Sequence, residues 1–386
     1  MLNELKQVNR KIRVLYLITS LDYGGTQKQL YYILRNLPEA IEPIVISLKK
    51  YGRFKRKIKE ICRNLYDLSL PSKSKIFSLC FLPYAFFKLY FLILKLKPNV
   101  VHAFLFQANL FSKIVKFFFP KIRVICSERV AEKEKMWQLK ISRYTNFLAD
   151  IIVVNSIELK EFVLKYQKVK QQKVVVIPNM IDLDEIKFEG SPEEIRNKLS
   201  INDKTFVVLS AGRLHKQKGF DFLIEIVDKF VRMCKEKKIE ENFLFLVIGD
   251  GEDRNKLREL IIKKNLSNYI QLLGYKHNIY DYINICDLFI LTSYWEGSPN
   301  VVLEALAFNK PVISTEVEGV AQYLKKEWLV SLDNNRLENY TKKLFDIYLK
   351  YLNGEKFSVK DCLSESFVID KLLPKEVIKK FLSLYY

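Results

Sequence analysis

Residues 288–315 read LFILTSYWEGSPNVVLEALAFNKPVIST and form the most constrained stretch of the chain. A short apolar run, Leu288–Leu291, is followed by a polar loop, a helical segment and a second apolar run, Val312–Ser314. Short apolar runs bounded by glycine and proline are typical of buried strands. The stretch therefore predicts a strand, a loop, a helix and a second strand.

The helix in this stretch is expected to begin at Ser298 and Pro299. Serine is a good N-cap residue, and proline suits the first helical position because its missing N–H would be unpaired there anyway. The backbone amides of Asn300 and Val301 then point into the loop. A helix start of this kind attracts anions, because the peptide dipoles leave a partial positive charge there.

Two carboxylates frame the predicted helix start: Glu296 lies on the loop, and Glu304 lies one to two turns inside the helix. A helix that needs only an apolar face for packing would not require an acid on each side of its N-terminus. Both acids are therefore candidate ligand contacts. The alternative is a solvated Glu296 and a hydrogen-bonded Glu304 on an otherwise buried helix.

The spacing E-G-S-P-N-x-x-x-E-A resembles the signature of the retaining glycosyltransferases of family 4 (glycosyl transferases group 1), which have the GT-B fold. In that family the second glutamate holds ribose hydroxyl groups of a nucleotide-sugar, and the first glutamate and the backbone after it contact the sugar. The resemblance implies donor contacts at Glu296, Gly297, Ser298, Pro299, Asn300, Val301 and Glu304. The family usually has glycine where this chain has Asn309, but asparagine tolerates a left-handed helix end, so the turn should survive.

The composition is that of a globular protein: 386 residues, 49% hydrophobic and 28% charged, are enough for two domains. The six cysteines show no C-x-x-C spacing and no neighbouring histidine, so we interpret them as reduced thiols of a cytosolic protein. The first apolar run, Val14–Ile18, has strand length and follows a polar leader, which argues against a signal peptide.

The positive charge is concentrated in the first half of the chain. Residues 1–185 contain 33 lysines and arginines against 15 acids, a balance of +18, whereas the rest of the chain has 31 against 29, or +2. This asymmetry predicts that the first half faces a polyanion, either an anionic membrane surface or nucleic acid.

Apolar runs alternate with helical patterns along the whole chain, which predicts parallel sheets covered by helices on both faces. The expected strands are Arg13–Thr19, Pro43–Ser47, Val100–His102, Arg123–Cys126, Ile151–Val154 and Val174–Ile177, and then Phe206–Ser210, Phe243–Ile248, Ile270–Leu273, Leu288–Leu291 and Val312–Ser314. The chain is thus an α/β protein with two doubly wound, Rossmann-like domains, and the resemblance implies a GT-B arrangement in which they face each other across a cleft.

The domain boundaries follow from the same pattern. Residues 1–185 are assigned to a basic, membrane-facing, acceptor-binding domain, and residues 186–366 to a nucleotide-sugar-binding domain. Residues 367–386 read as an amphipathic helix that resembles the GT-B helix that crosses back onto the first domain.

In doubly wound sheets ligands bind outside the carboxyl ends of the strands, so the loops after the strands are candidate contacts. The loop Gly212–Gly219 contains Arg213 and Lys218, two cations that would converge on a diphosphate. The family has such a pair, which neutralises the β-phosphate of the leaving group. His215 and Lys216 in the same loop are interpreted as rim residues.

Glycines in other loops extend the predicted donor site. Gly24 and Gly25 follow the first strand without a G-x-G-x-x-G fingerprint. The family places such a pair near the donor diphosphate and the acceptor, although a plain tight turn is the alternative. In the family, two further loops line the nucleotide site. In this chain these loops contain Gly249, Gly251, Gly274 and Tyr275. Tyr275 is either a stacking partner of the base or an ordinary exposed tyrosine.

Three further residues of the first half end predicted strands: His102, Glu128 and Arg129. Family members often have a histidine or Ser-x-Arg here, near the donor sugar or the acceptor. We therefore take His102 and Glu128 as catalytic candidates and Arg129 as an acceptor contact. For His102 the alternative is a core histidine bonded to a backbone carbonyl. For Glu128 and Arg129 the alternative is a surface ion pair.

The most apolar window is Ile76–Leu96. Pro83 and Lys88 lie inside it, and spanning a bilayer would interrupt the α/β pattern, so a buried crossover helix is the first interpretation. A helix lying partly in the membrane interface is the second, since the basic run Arg53–Lys59 precedes it.

The resulting hypothesis is a retaining glycosyltransferase, peripherally bound to the inner face of the cytoplasmic membrane. It would move a sugar from a nucleotide-sugar, with UDP as the expected nucleotide, to a lipid-linked saccharide in bacterial capsule, lipopolysaccharide or other surface-polysaccharide assembly. No cofactor is expected, and no metal, because no D-x-D motif lies on a cleft loop: Asp182-Leu183-Asp184 is at the domain junction.

Three other functions stay open. A basic nucleic-acid-binding protein fits the charge but shows no nucleic-acid-binding motif and leaves Glu296 and Glu304 unexplained, so no nucleic-acid partner is expected. A nucleotide-sugar epimerase of the GT-B fold would share the donor site. A catalytically inactive partner subunit would keep the same motifs.

Overall fold

The computed structural model of the protein describes residues 11–50, 52, 54–71, 81–365 and 367–386. The chain divides into two compact units, of which the first comprises Met1–Ile181 and Asp370–Tyr386 and the second Asp182–Ile369. The beginning of the apolar window and Arg53 of the basic run lie outside the described residues.

The first unit is built on one parallel sheet. Its described strands are β1 (Ile12–Ile18), β2 (Ile41–Lys49), β3 (Leu65–Leu70), β4 (Val100–Phe104), β5 (Arg123–Ser127), β6 (Ile151–Val154) and β7 (Val174–Val176). Its helices are α1 (Gly25–Arg35), α2 (Lys55–Ile61), α3 (Leu82–Leu96), α4 (Phe106–Phe118), α5 (Met136–Thr145), α6 (Ile157–Gln167) and the C-terminal α14 (Pro374–Tyr385). The strand order is β3-β2-β1-β4-β5-β6-β7, so the chain winds outward from β1 in both directions, as predicted.

Strand β3 is absent from the sequence prediction. Its sequence, LYDLSL, carries two polar residues, Asp67 and Ser69, that interrupt the apolar run. The strand lies at the edge of the sheet, where such residues can be accommodated: Lys55 Nζ lies 3.2 Å from a carboxylate oxygen of Asp67, and the hydroxyl of Ser69 donates to the other at 2.9 Å.

Two apolar cores cover the two faces of this sheet. Helices α3, α4 and α6 bury Leu89, Phe111 and Leu159 on one face. Helices α1, α2 and α14 cover the other face, where Phe381 and Tyr385 of α14 join the core that includes Tyr16. The C-terminal helix therefore packs on the first unit.

The boundary of that helix differs from the prediction. It begins at Pro374, in the first helical positions that suit proline, and not at Phe367. A 3-10 turn at Ile369–Leu372 precedes it.

The second unit repeats the plan. Its strands are β8 (Phe206–Ala211), β9 (Phe243–Ile248), β10 (Ile270–Gly274), β11 (Leu288–Leu291), β12 (Val312–Thr315) and β13 (Leu329–Val330). Its helices are α7 (Pro192–Lys198), α8 (Phe220–Glu236), α9 (Arg254–Lys263), α10 (Tyr280–Ile285), α11 (Asn300–Ala307), α12 (Arg336–Leu352) and α13 (Val359–Cys362). The strands pair in parallel in the order β10-β9-β8-β11-β12-β13. Only β13 lies outside the prediction, because two residues are too short for a recognisable pattern.

The described part of the apolar window is helix α3. Ala85, Leu89 and Ile93 pack one side of it against the sheet, as a crossover helix would, whereas Phe87 and Phe91 on the other side are exposed. Within the described ranges, every helix falls short of the length and apolar character that a membrane crossing requires.

Candidate functional site

In the second unit, close backbone contact holds the loop after β8 against the loop after β9. Gly249 follows β9 with φ +147°, and a Cβ atom there would lie 1.8 Å from the carbonyl oxygen of Gly212. The N–H of Leu214 donates to the carbonyl of Asp250 at 3.1 Å, and the N–H of Asp253 donates to the carbonyl of Leu214 at 3.1 Å. Two loops that the sequence analysis assigns to the donor site thus meet at one edge of the sheet.

The ammonium group of Lys218 and the carboxylate of Glu296 form an ion pair. Lys218 Nζ lies 2.5 Å from Glu296 Oε1, and the hydroxyl of Ser293 donates to the same oxygen at 2.7 Å. Both side chains are largely shielded from solvent, at 19% and 6% exposure. Two residues that the sequence predicts as separate donor contacts are therefore joined before any ligand binds.

Further hydrogen bonds fasten the loop after β8 to the loop after β11. The side-chain amide of Gln217 donates to the carbonyl of Trp295 at 2.9 Å, and the N–H of Tyr294 donates to the carbonyl of Gln217 at 2.8 Å. Gln217 is absent from the predicted site. Its position between Lys216 and Lys218 is the signal that could have identified it.

The start of helix α11 corrects one prediction. The helix begins at Asn300, and its N-cap is Pro299, not Ser298. The hydroxyl of Ser298 lies 3.0 Å from the hydroxyl of Tyr323, which is also absent from the predicted site. The helix therefore begins one residue later than the sequence predicts.

The loop after β12 packs against the same helix start. Gly319 has φ +76°, and a Cβ atom there would lie 2.0 Å from the carbonyl oxygen of Gly297. A side chain at this position would therefore displace the backbone between Glu296 and α11. Gly319 is a structural support of the site that the motif itself does not reveal.

The other two predicted polar contacts of this unit differ in exposure. Glu304 lies in the second turn of α11 and is buried. Arg213 is exposed, and among the described residues it has no hydrogen-bond or ion-pair partner. Arg213 is thus available to a ligand from solvent, whereas a ligand must approach α11 closely to reach Glu304.

The loop after β10 completes this edge of the second unit. The N–H of Gly249 donates to the carbonyl of Gly274 at 2.9 Å, and a Cβ atom on Gly251 would lie 2.2 Å from the carbonyl oxygen of Leu214. The structure therefore brings the predicted contacts Gly249, Gly251 and Gly274 together. Tyr275 follows with 41% of its surface exposed.

In the first unit, the predicted Gly24–Gly25 turn starts helix α1. Gly24 is the N-cap residue and has extended backbone with φ −178°, so its conformation does not require glycine. A Cβ atom there would lie 2.6 Å from Oε1 of Gln27, whose amide donates to the carbonyl of Ser20 at 2.9 Å. The turn leads directly from β1 into α1.

His102, a predicted catalytic residue, lies in the core of the first unit. Its side chain has no exposed surface. Nδ1 lies 2.8 Å from the hydroxyl of Tyr385, and Nε2 lies 2.9 Å from the hydroxyl of Ser127. Both ring nitrogens therefore have hydrogen-bond partners, although these are side chains rather than the backbone carbonyl of the alternative interpretation.

Glu128 and Arg129 follow β5 and do not form the surface ion pair of the alternative interpretation. A carboxylate oxygen of Glu128 accepts from the side-chain amide of Asn109 at 3.3 Å, and burial raises the pKa of this carboxyl group. Arg129 is buried, and one guanidinium nitrogen donates to Asn179 Oδ1 at 3.2 Å. Burial lowers the pKa of Arg129 to about 10.

The buried imidazole leads to a prediction about pH. Burial lowers the pKa of His102 well below its ordinary value, so the folded protein keeps the ring neutral while the unfolded chain takes up a proton near pH 6.5. The free energy of unfolding of the first unit should therefore fall by up to about 1.4 kcal/mol per pH unit as pH decreases below 6.5. Denaturant titrations of the wild type and of His102→Gln between pH 5 and 8 should show that the variant lacks this part of the slope.

The exposed histidine of the second unit provides the control for that measurement. His277→Gln makes the same substitution at an exposed position of the second unit. Equal slopes for the wild type and His102→Gln would contradict the assignment of a buried, neutral His102.

Among the described residues, no group of three histidine, cysteine, aspartate or glutamate side chains is placed to hold a metal ion. Asp182 of the Asp-Leu-Asp sequence instead caps a 3-10 turn: its carboxylate accepts from the N–H of Asp184 at 3.2 Å.

Two family models match the chain. The model described as "Glycosyltransferase Family 4" matches residues 23–185, and the model described as "Glycosyl transferases group 1" matches residues 191–347. The first match thus lies almost entirely in the first unit, and the second lies within the second unit.

The curated relatives include three that differ in coverage. An uncharacterized glycosyltransferase of Methanocaldococcus jannaschii is 35% identical over 45% of this chain and 41% of its own length. The N-acetylgalactosamine-N,N'-diacetylbacillosaminyl-diphospho-undecaprenol 4-alpha-N-acetylgalactosaminyltransferase of Campylobacter jejuni is 26% identical over 82% of this chain and 85% of its own. The UDP-Gal:alpha-D-GlcNAc-diphosphoundecaprenol alpha-1,3-galactosyltransferase of Escherichia coli is 30% identical over 44% of each. The chain thus spans less than half of the first and third relatives.

Solved structures confirm the predicted GT-B class of fold. HepE of Anabaena, solved with UDP and glucose, superposes with a TM-score of 0.78 over 96% of this chain and 98% of its own, at 16% identity. WaaG, a glycosyltransferase involved in lipopolysaccharide biosynthesis, superposes with a TM-score of 0.67 over 96% of this chain and 99% of its own, at 16% identity.

Proposed function

Because the chain belongs to glycosyltransferase family 4, we propose that it transfers a sugar from a nucleoside-diphosphate donor to a hydroxyl group of a lipid-linked saccharide. The transfer retains the configuration at the anomeric carbon. It takes place at the cytoplasmic face of the membrane and serves the assembly of a cell-surface glycan. The observation that carries this proposal is the shielded Lys218–Glu296 pair, held where the loops after β8 and β11 meet.

The substrate classes are supported by the relatives. The printed name of the Escherichia coli relative contains UDP-Gal, and the Anabaena structure holds UDP, so a UDP-sugar is the proposed donor. The names of the Campylobacter jejuni and Escherichia coli relatives both contain a diphosphoundecaprenol-linked sugar, which supports a polyprenyl-diphosphate saccharide as the acceptor.

The proposed chemistry places positive charge where the leaving group develops negative charge. As the bond between the anomeric carbon and the diphosphate breaks, charge accumulates on the phosphate oxygens, and preorganised donors lower the energy of that state. Lys218 has three N–H donors and uses one on Glu296, so it can contact a phosphate without losing the carboxylate. The exposed Arg213 can add a bidentate contact. The scheme needs no metal or other cofactor.

Glu296 and Glu304 have different proposed roles. Glu296 is fixed by Lys218 and Ser293, so it can orient a sugar hydroxyl with little loss of side-chain entropy. Glu304, buried in the second turn of α11, holds the ribose hydroxyl groups. In the first unit, we propose that Glu128 and Arg129 lie on the acceptor side, and that His102 positions them through its contact with Ser127.

Donor binding provides the direct test. A UDP-sugar at about ten times its Kd should stabilise the wild type by about 1.4 kcal/mol, because it binds only the folded protein. Thermal unfolding should be measured against UDP-, GDP-, ADP-, CMP- and dTDP-sugars without added metal. We expect UDP-sugars to raise the Tm of the wild type and to have little effect on Glu304→Gln.

An exposed glutamate on α9 gives the matched control. Glu259→Gln makes the same chemical change on the surface of the second unit and should respond to UDP-sugars like the wild type. If no nucleotide-sugar raises the Tm of the wild type, or if Glu304→Gln keeps the full response, the proposed donor site is wrong.

A further inference from the structure

Helix α3 of the first unit is apolar on both sides although only one side is covered. Ala85, Leu89 and Ile93 are buried against the sheet at 2% exposure or less. The opposite side carries Tyr84, Phe87, Phe91 and Leu94, which are 55%, 60%, 64% and 45% exposed. Their spacing of three, four and three residues places them on one stripe of the helix. A helix that is apolar all round normally has both sides covered, so this stripe indicates a missing neighbour.

The end of helix α4 extends the stripe. Phe117 and Phe118 are 72% and 51% exposed. The ring of Phe118 lies 5.4 Å from the ring of Phe86 and 6.2 Å from that of Tyr90, so the two helices share one cluster of rings. We call the exposed stripe of α3 together with Phe117 and Phe118 the apolar face of α3 and α4; it consists of Tyr84, Phe87, Phe91, Leu94, Phe117 and Phe118.

The sequence around the apolar face is basic. Residues 81–121, which contain both helices, include six lysines and no aspartate or glutamate. Lys95 and Lys97 at the end of α3 and Lys121 just after α4 are exposed. Large exposed apolar patches mark surfaces that bind another molecule. The surrounding charge indicates that this molecule is anionic.

We propose that the apolar face of α3 and α4 docks into the interfacial layer of an anionic lipid bilayer. The aromatic rings enter the boundary between headgroups and acyl chains, where such rings are enriched, and the lysines contact the headgroups. This proposal assigns the membrane contact of the proposed function to named residues. It rests on the proposed function only because that function implies a membrane-bound substrate.

A bilayer fits this surface better than a protein partner does. The centres of protein interfaces are depleted in lysine, whereas an interfacial helix combines large apolar side chains with lysines that reach the headgroups. Lys95 and Lys97 are exposed at the end of the same helix, next to Leu94 of the stripe. The face therefore joins ring insertion and cation attraction in one surface.

The test compares binding to vesicles of phosphatidylglycerol and phosphatidylcholine by co-sedimentation at 0.1 M and 0.5 M salt. The wild type should bind phosphatidylglycerol vesicles at 0.1 M salt and keep part of this binding at 0.5 M salt, because salt does not screen the insertion of the rings. Phe87→Ser/Phe91→Ser should lower the partition coefficient at least tenfold at both salt concentrations. Ile262→Ser/Leu352→Ser removes two exposed apolar side chains from the second unit and should bind like the wild type.

Three results would overturn the proposal. The first is equal vesicle binding by the wild type and Phe87→Ser/Phe91→Ser, and the second is complete loss of wild-type binding at 0.5 M salt. The third is that Phe87→Ser/Phe91→Ser changes only the self-association of the protein, which would make the face a contact between copies of the chain. UDP-sugar stabilisation, measured on the same samples, reports folding of the variants and separates the two proposals. If the wild type binds vesicles but no nucleotide-sugar, only the proposed function is refuted. If it binds a nucleotide-sugar but no vesicles, only this inference is refuted.

Discussion

Lys218→Ala is expected to lower kcat for sugar transfer by about 100- to 1,000-fold, which corresponds to roughly 2.7–4 kcal/mol of transition-state stabilisation. The reason is that the ammonium group is held on Glu296 at 2.5 Å, beside the loops proposed to bind the diphosphate. Charge on the leaving group grows in the transition state, so kcat should fall more than KM rises. Steady-state kinetics with a UDP-sugar and the lipid-linked acceptor measure both constants.

Two variants control that experiment. Lys216→Ala removes a cation from the same turn, but Lys216 is exposed, so its kcat should stay within a few-fold of the wild type. Lys218→Arg keeps the charge and should recover part of the rate. A Lys218→Ala enzyme with wild-type kcat and KM would show that the ion pair is purely structural, and one that changes only KM would show that Lys218 binds the donor without favouring the transition state.

Gly249→Ala should destabilise the second unit by about 4 kcal/mol, the sum of backbone strain and overpacking. At φ +147° a side chain is strained, and the added Cβ atom would meet the carbonyl oxygen of Gly212 at 1.8 Å. The loops after β8 and β9 would have to separate, and UDP-sugar binding should weaken with them. Denaturant unfolding and the donor-induced change in Tm measure the two effects.

Gly354→Ala separates strain from steric conflict. Gly354 has φ +82°, and a Cβ atom there would have no neighbour within 4 Å. Its alanine variant should therefore lose only the cost of a left-handed conformation, about 1–2 kcal/mol, and keep donor binding. If the two variants lose equal stability, close packing of the two loops is not what requires glycine at position 249.

The strands that the sequence predicts are those whose apolar runs are continuous. Leu288–Leu291 and Phe243–Ile248 have the predicted limits, because full burial on both faces requires an uninterrupted apolar run. Strand β3 lies at the sheet edge and tolerates Asp67, so the apolar pattern does not reveal it.

The helix start of the central motif shows the limit of local rules. Serine before proline predicts an N-cap at Ser298, yet its hydroxyl lies against Tyr323, 25 residues away. The N-cap of the observed helix is Pro299 instead. The motif still predicted the helix itself, since Asn300–Ala307 lies between two apolar strands as expected.

The sequence by itself determined the types of the elements and the loops that follow the strands, because both depend on residues a few positions apart. Tertiary structure alone decided which of the predicted polar groups touch one another. It joined Lys218 to Glu296 across 78 residues, and it buried His102 beneath Tyr385, which lies 283 residues away. The physical reason is that strand order and the packing of α14 are set by burial of apolar surface over the whole unit, which no local pattern records.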